Sequence, residues 1–213
     1  MYRRRRIGRG GQQVPDWAVV AGALLVLLLA GRGVAEVAAP APPPVAEAGG
    51  LVCTTANGPG VPVAGFAGRQ LAHAAAIVAA GKEMGVPERG HVIAVATAMQ
   101  ESKLKMYANR AVPASMSLPH EAVGSDHDST GLFQQRQRGW GTLAQRMEAR
   151  ESARLFYAAL LRLPGWQSMP LTVAAQRVQI SAHPDRYAKW EDEAAQVVAA
   201  VSSGIACTPT GRS

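Results

Sequence analysis

The chain has 213 residues, 5% of them aromatic and 48% hydrophobic, and a formal net charge of +7. That length fits one domain with appendages, and the abundance of Ala and Leu favours helices. The charge does not mark a nucleic-acid binder: residues 1–50 hold +3 of it, and the other +4 is spread over residues 51–213 without a basic run or interleaved aromatics.

Residues 1–16 form a basic arm containing Arg3, Arg4, Arg5, Arg6 and Arg9. Trp17 to Gly31 is an uninterrupted apolar run. As a helix it would reach only roughly 22 Å, against a hydrocarbon core of about 30 Å. It spans by borrowing Val34 to Ala39 and letting Arg32 snorkel, so residues 17–39 read as a membrane anchor. A cleaved signal sequence is the competing reading, because short apolar runs are usual there. Its cleavage sites are poor: Ala39-Pro40-Ala41 is followed by Pro42, and Ala46-Glu47-Ala48 lies far downstream. Under either reading the arm stays in the cytoplasm and the rest is extracytoplasmic, on the cell membrane or, after cleavage, secreted.

Residues 40–67 read as a Pro/Ala/Gly-rich linker, extended by Pro40, Pro42, Pro43 and Pro44. The two cysteines, Cys53 and Cys207, bracket the globular part. In an oxidising compartment such a pair is best read as one disulfide, since the ends of compact domains lie close together. Residues 208–213 are a tail.

The domain, 68–207, reads as mainly α. Gly68 to Met84 is an alanine-filled helix stopped at Gly85-Val86-Pro87. The next starts at Pro87 and carries Val92, Val95, Ala96 and Met99 as a stripe of period 3.6. Glu101 stands off that stripe at the helix C-terminus, where the macrodipole favours a protonated acid. A long turn-rich loop follows, with Pro113, Pro119 and the polar run Gly124 to Gly131. Loops of that length inside a compact domain are usually functional. Further helices are expected over Glu151–Leu163, over Leu171–Ser181 with Thr172 as N-cap, and over Asp185–Val201 with Tyr187 and Trp190 inward. No alternating pattern calls for a large sheet.

Glu101-Ser102 at a helix end, followed across a loop by Gly131-Leu132-Phe133-Gln134, resembles two signature elements of the lytic transglycosylase and goose-type lysozyme superfamily, with Phe133 in place of Met. The resemblance covers about residues 68–201 and is nearest to the transglycosylase-like domain of exported cell-wall hydrolases. It implies a lysozyme-like fold with a long active-site loop and a cleft for peptidoglycan glycan strands. The third element of that family, Ala-Tyr-Asn-Ala-Gly, has no good counterpart: Ala174 to Gln179 occupies its place.

The chemistry can be argued from the residues. Breaking a glycosidic bond needs an acid for the leaving oxygen, and a glutamate serves near neutral pH only if its surroundings raise its pKa. The alanines beside Glu101, the helix end and a wall of Leu132 and Phe133 act that way. The resemblance implies that Glu101 alone protonates the oxygen leaving N-acetylmuramic acid and then takes the proton of that sugar's 6-hydroxyl. With water as nucleophile, positioned by Asp126 or Asp128, the enzyme is a hydrolase. Gln134 and Gln135 would bond the sugar, Phe133 would line the cleft, and Ser102 would orient Glu101 or a substrate group. Trp140 and Trp166 read as sugar platforms or as core, and His73 as a boundary histidine.

Asp126-His127-Asp128-Ser129-Thr130-Gly131 also matches half a calcium loop, but Gln137 stands where a bidentate Glu is wanted. Zinc at Asp126, His127 and His120 lacks ligand spacing on one helix. The run reads as a polar turn, with no metal and no cofactor. The rival function, from a different class, is a non-catalytic wall-binding or assembly subunit of an envelope-spanning secretion or conjugation machine that keeps the fold for docking.

Overall fold

The computed structural model describes residues 50–180 and 184–210. The arm, the apolar run 17–39, the linker up to residue 49, His183 and the last three residues lie outside the described residues. Among those described, no helix is long and apolar enough to cross a membrane. The chain is mainly helical, with six α-helices and five short strands among these residues.

Residues 51–55 and 58–59, expected to lie in the linker over 40–67, are strands. β1 (Leu51–Thr55) and β2 (Gly58–Pro59) pair antiparallel, and the C-terminal strand lies on the other side of β1. The reason is the disulfide, which is formed as expected: Cys53 and Cys207 stand opposite each other in that register and are bonded. It ties the two ends of the domain together beside α1 (Arg69–Glu83).

The first two helices follow the sequence closely. Gly85, at φ 68°, ends the first as a glycine can, and Pro87 caps α2 (Glu88–Ser102) rather than sitting inside its first turn. The expected stripe understates how deeply α2 is sunk. Every residue from Ile93 to Met99 is buried, including Ala94, Thr97 and Ala98 off the stripe, whereas Val92 is only partly so. A helix that is apolar all round is the buried one, and α2 is surrounded by α1, α4 (Ala149–Leu161), α5 (Leu171–Gln179) and α6 (Glu191–Ser202). Phe156, Tyr157 and Leu160 of α4 and Val197 and Val198 of α6 complete the core.

The long loop after α2 has structure of its own. β3 (Tyr107–Asn109) and β4 (Ala122–Gly124) run parallel, joined through a 3-10 turn at Pro113–Ser117. A four-residue helix, α3 (Leu143–Arg146), begins on a Thr142–Gln145 capping box. Two helix boundaries differ from expectation. Pro170, not Thr172, holds the N-cap of α5. The expected helix from Asp185 is broken into 3-10 turns at Pro184–Arg186 and Ala188–Trp190, because Trp190 at φ −104° and ψ 2° interrupts the helical ladder. β5 (Ala206–Pro209) closes the chain onto β1.

The disulfide encloses a sequence separation of 154 residues, for which the chain-entropy model gives a stabilisation of roughly 5 kcal/mol as an upper figure. Reduction should therefore move the urea midpoint down by a large fraction of the domain's stability. An unchanged midpoint would mean that the strand pairing, not the bond, fixes the ends.

Candidate active site

Glu101 lies in the last turn of α2, half-buried, and the chain turns sharply just beyond it. Lys103 and Leu104 both have left-handed backbones, at φ 56° and 58°. Such conformations cost about 1–3 kcal/mol each and persist where the surroundings impose them. Here Gln70 Nε2 donates to the Lys103 carbonyl at 2.7 Å, Lys103 Nζ sits 3.7 Å from the centre of the Trp190 ring, and Leu104 is fully buried.

Two side chains just before α6 hold the end of α2. Trp190 Nε1 donates to Gln100 Oε1 at 3.0 Å, and Tyr187, 1% exposed, donates its hydroxyl to Glu101 Oε1 at 2.6 Å. Burial pushes the Glu101 carboxyl above the ordinary glutamate range. The Tyr187 hydroxyl and the Gln179 amide pull it back, and the negative charge of Asp126 adds to the rise.

Ser102 is buried and does not line the cleft. Its hydroxyl lies 2.7 Å from the Leu132 carbonyl and 3.0 Å from that of Ala98, so it ties the helix end to the Gly131–Gln134 turn. Leu132 and Phe133 are not the expected cleft wall either. Both are fully buried, and Phe133 stacks on Phe156 with ring centres 4.9 Å apart. Phe133 serves through its backbone: its carbonyl accepts from Gln179 Nε2 at 2.7 Å. Gln135 is buried as well, donating to the Ser152 carbonyl at 3.1 Å. Alternation around the turn leaves Gln134 as the member facing the cleft, with a left-handed backbone at φ 48°.

That turn is wound around Arg146, 2% exposed, whose Nη1 donates to Thr130 Oγ1 and to the Gln135 carbonyl, both at 3.0 Å. Gly131 is required there. Its φ is 78°, and a Cβ at that position would come within 2.0 Å of the Arg146 carbonyl oxygen. Asn109, fully buried on β3, organises the neighbouring run: its Nδ2 donates to the Asp126 and Ser129 carbonyls at 3.1 and 2.9 Å.

The two aspartates of that run part company. Asp126 is exposed, lines the cleft and bonds His127 Nδ1 at 2.8 Å. Asp128 does not line it. Its carboxylate accepts from Arg136 Nε at 2.6 Å and from the Gln137 N–H at 2.9 Å, contacts that hold it below the usual aspartate range. Asp128 is thus a clamp on the loop, and of the pair it is Asp126 that lines the cleft. Trp166, at 2% exposure, is core, while Trp140 is half-buried and lines the cleft. His73 bridges α1 to Glu121 at 3.1 Å.

The cleft has a volume of about 690 Å³. Glu101 opens into it together with Asp126, Gln134 and Trp140 from the expected set. The sequence reading missed Gln179, Arg138 and Arg186 on its lining and Tyr187 behind it. The signal for Tyr187 was there: a buried tyrosine hydroxyl seeks a partner, and the chain offers few carboxylates. What the arrangement can do chemically is present one half-buried acid, hydrogen-bonded from behind, to a ligand in a polar cleft. No protein-family model matches the chain, and no curated protein matches it.

A carboxyl whose folded pKa is raised binds its proton more tightly folded than unfolded. Its contribution to stability is full below the unfolded pKa and is lost as pH rises through the folded one. Glu101→Gln keeps an acceptor for Tyr187 and removes the charge. The variant should be more stable than the wild type at pH 7, with the gap closing as pH falls through the raised folded pKa of Glu101 and gone below its unfolded value of about 4. Denaturant unfolding at both pH values checks this; a variant less stable at pH 7 would mean that the carboxylate is well solvated.

Proposed function

We propose that this domain cleaves peptidoglycan glycan strands, with Glu101 as the single general acid and base. The observation that carries the reading is the Glu101 carboxyl itself: burial raises its pKa, Tyr187 bonds one of its oxygens, and it opens into a cleft of about 690 Å³. The resemblance of Glu101-Ser102 and Gly131 to Gln134 to the transglycosylase and goose-type lysozyme superfamily supports it. So does the tie between the two elements through Ser102. On this reading the helical domain is lysozyme-like.

The residues divide the work as follows. Tyr187 donates to Oε1 from behind, and the Glu101 carboxyl carries its proton towards the cleft. That proton passes to the glycosidic oxygen as its bond to C1 of N-acetylmuramic acid breaks. The Glu101 carboxylate then accepts the proton of the same sugar's 6-hydroxyl while that oxygen closes on C1, giving a 1,6-anhydro end and returning the acid to its starting state. Gln134 and Gln179, whose Nε2 groups are held by the Gly131 and Phe133 carbonyls, offer their amide oxygens to the sugar, and Trp140 offers a ring face. Asp126 favours a second outcome, in which it positions a water that attacks C1 and the product is a reducing end. Substrate assistance in the first outcome removes the need for the second carboxylate that most glycosidases use.

The protein would work outside the cytoplasmic membrane, tethered through residues 17–39, in local wall remodelling for an envelope-spanning machine. The disulfide between Cys53 and Cys207 fits that oxidising side. Purified cell walls in a zymogram give the test: the wild type clears, and Glu101→Gln clears at least about a hundredfold less, the scale of lost acid catalysis. Clearing should also weaken as pH rises through the raised pKa of Glu101, because the acid must start protonated. Undiminished clearing by the variant would remove Glu101 from the chemistry, and absence of clearing by both would favour a wall-binding or assembly subunit. Mass spectrometry of the released fragments separates anhydro from reducing ends.

A further inference from the structure

A second hollow, of about 480 Å³, continues from the cleft and shares Arg138, Trp140 and Ile180 with it. Its size falls in the range of ligand pockets. Its floor is apolar, built by Leu155, Ala158 and Ala159 beside α5's Val178. Its charge is one-sided: Arg138 and Arg162 line it, and no aspartate or glutamate does. Both arginines are exposed, and neither appears in a salt bridge among the described residues. Elsewhere on α4 the pattern is different, since Arg150 and Arg154 both pair with Glu83. The C-terminus of α4 explains a cation at 162; it does not explain a second one at 138 facing the same hollow.

Ile180 stands where the hollow meets the cleft. It is 87% exposed and its backbone is left-handed, at φ 52° and ψ 42°, as the C-cap of α5. Glycine is the usual residue for that geometry, and a β-branched one there is an outlier. Exposed apolar surface and backbone strain both cost stability, and both are relieved of their oddity if a bound molecule packs on the side chain.

We propose that this hollow holds the anionic peptide branch of the strand whose glycan lies in the cleft. The inference rests on the glycan-cleavage reading. Peptides hanging from the muramic acid lactyl group carry carboxylates on a largely apolar chain. Two guanidiniums over an apolar floor match that pattern, and a bare glycan does not. The branch leaves the sugar next to the bond that Glu101 attacks, so a groove continuous with the cleft is where it must go. Arg162 touches only the second hollow, which makes it the residue to vary.

Glu101→Gln protein is titrated calorimetrically with two soluble probes: glycan fragments from cell walls with their peptides, and the same fragments after the peptides are removed by an amidase. The peptide-bearing fragments should bind about tenfold more tightly. Adding Arg162→Gln should bring the two within about twofold of each other without changing the affinity for stripped fragments, and Arg162→Lys should keep part of the preference. Equal affinity for both probes, or a preference that survives Arg162→Gln, overturns the peptide site and leaves the glycan reading standing. Absence of binding by either probe overturns both.

Discussion

A buried hydrogen bond ties together the two segments that make up this site. The Ser102 hydroxyl, buried at the end of α2, reaches the Leu132 carbonyl of the Gly131–Gln134 turn at 2.7 Å. It acts with Gln179, which bonds both the Phe133 carbonyl and the Glu101 carboxyl, to set the carboxyl at position 101 against the turn that carries position 134. With it, Glu101 inherits the rigidity of a helix buried on all sides. Placing a reacting group on a packed element rather than on a loop is what keeps it in working geometry. The strain nearby fits this view. Lys103, Leu104 and Gln134 are all left-handed without being glycine, and each is adjacent to or part of the two tied segments.

The environment of the Glu101 carboxyl is a balance of opposed effects. Burial disfavours its charge and is the largest influence, while the Tyr187 hydroxyl favours the ion and Asp126 disfavours it. The outcome is a carboxyl that holds its proton to higher pH than a free glutamate, at some cost to the stability of the fold near neutrality. Such a cost is typical of sites kept for chemistry rather than for packing. The surrounding polar residues do structural work: Arg146 is the axis of the turn, Asn109 gathers the Asp126–Ser129 run, and Asp128 clamps Arg136 and Gln137.

The helical core was legible because its signals are local. Alanine-rich stretches bounded by Gly85, Pro87 and Pro164 gave α1, α2 and α4 within a few residues. The cysteine pair was legible too, and with it the meeting of the chain ends. What failed was anything decided by which way a turn faces. Phe133 and Gln135 looked like site residues because they lie in the same short motif as Gln134, yet the turn points them into the core. Ser102 looked like a partner of Glu101 and is instead a tie to Leu132. Gln179 was invisible as a site residue because its partner lies 46 residues away in the chain, and Tyr187, expected to face inward, could not be matched to Glu101 across 86 residues. The strand Leu51–Thr55 was hidden by its flanks, Gly49-Gly50 and Gly58-Pro59-Gly60, which read as linker until the C-terminal strand that pairs with it is known.

The central claim is that Glu101 is a desolvated acid, and its own titration tests that most directly. Carboxyl signals followed against pH in 13C-labelled protein, with Glu101→Gln to assign the resonance, should show a midpoint above that of a free glutamate. In the Tyr187→Phe variant the midpoint should move higher still, because the hydroxyl favours the ionised form. A midpoint at or below the ordinary glutamate value in the wild type would contradict the account.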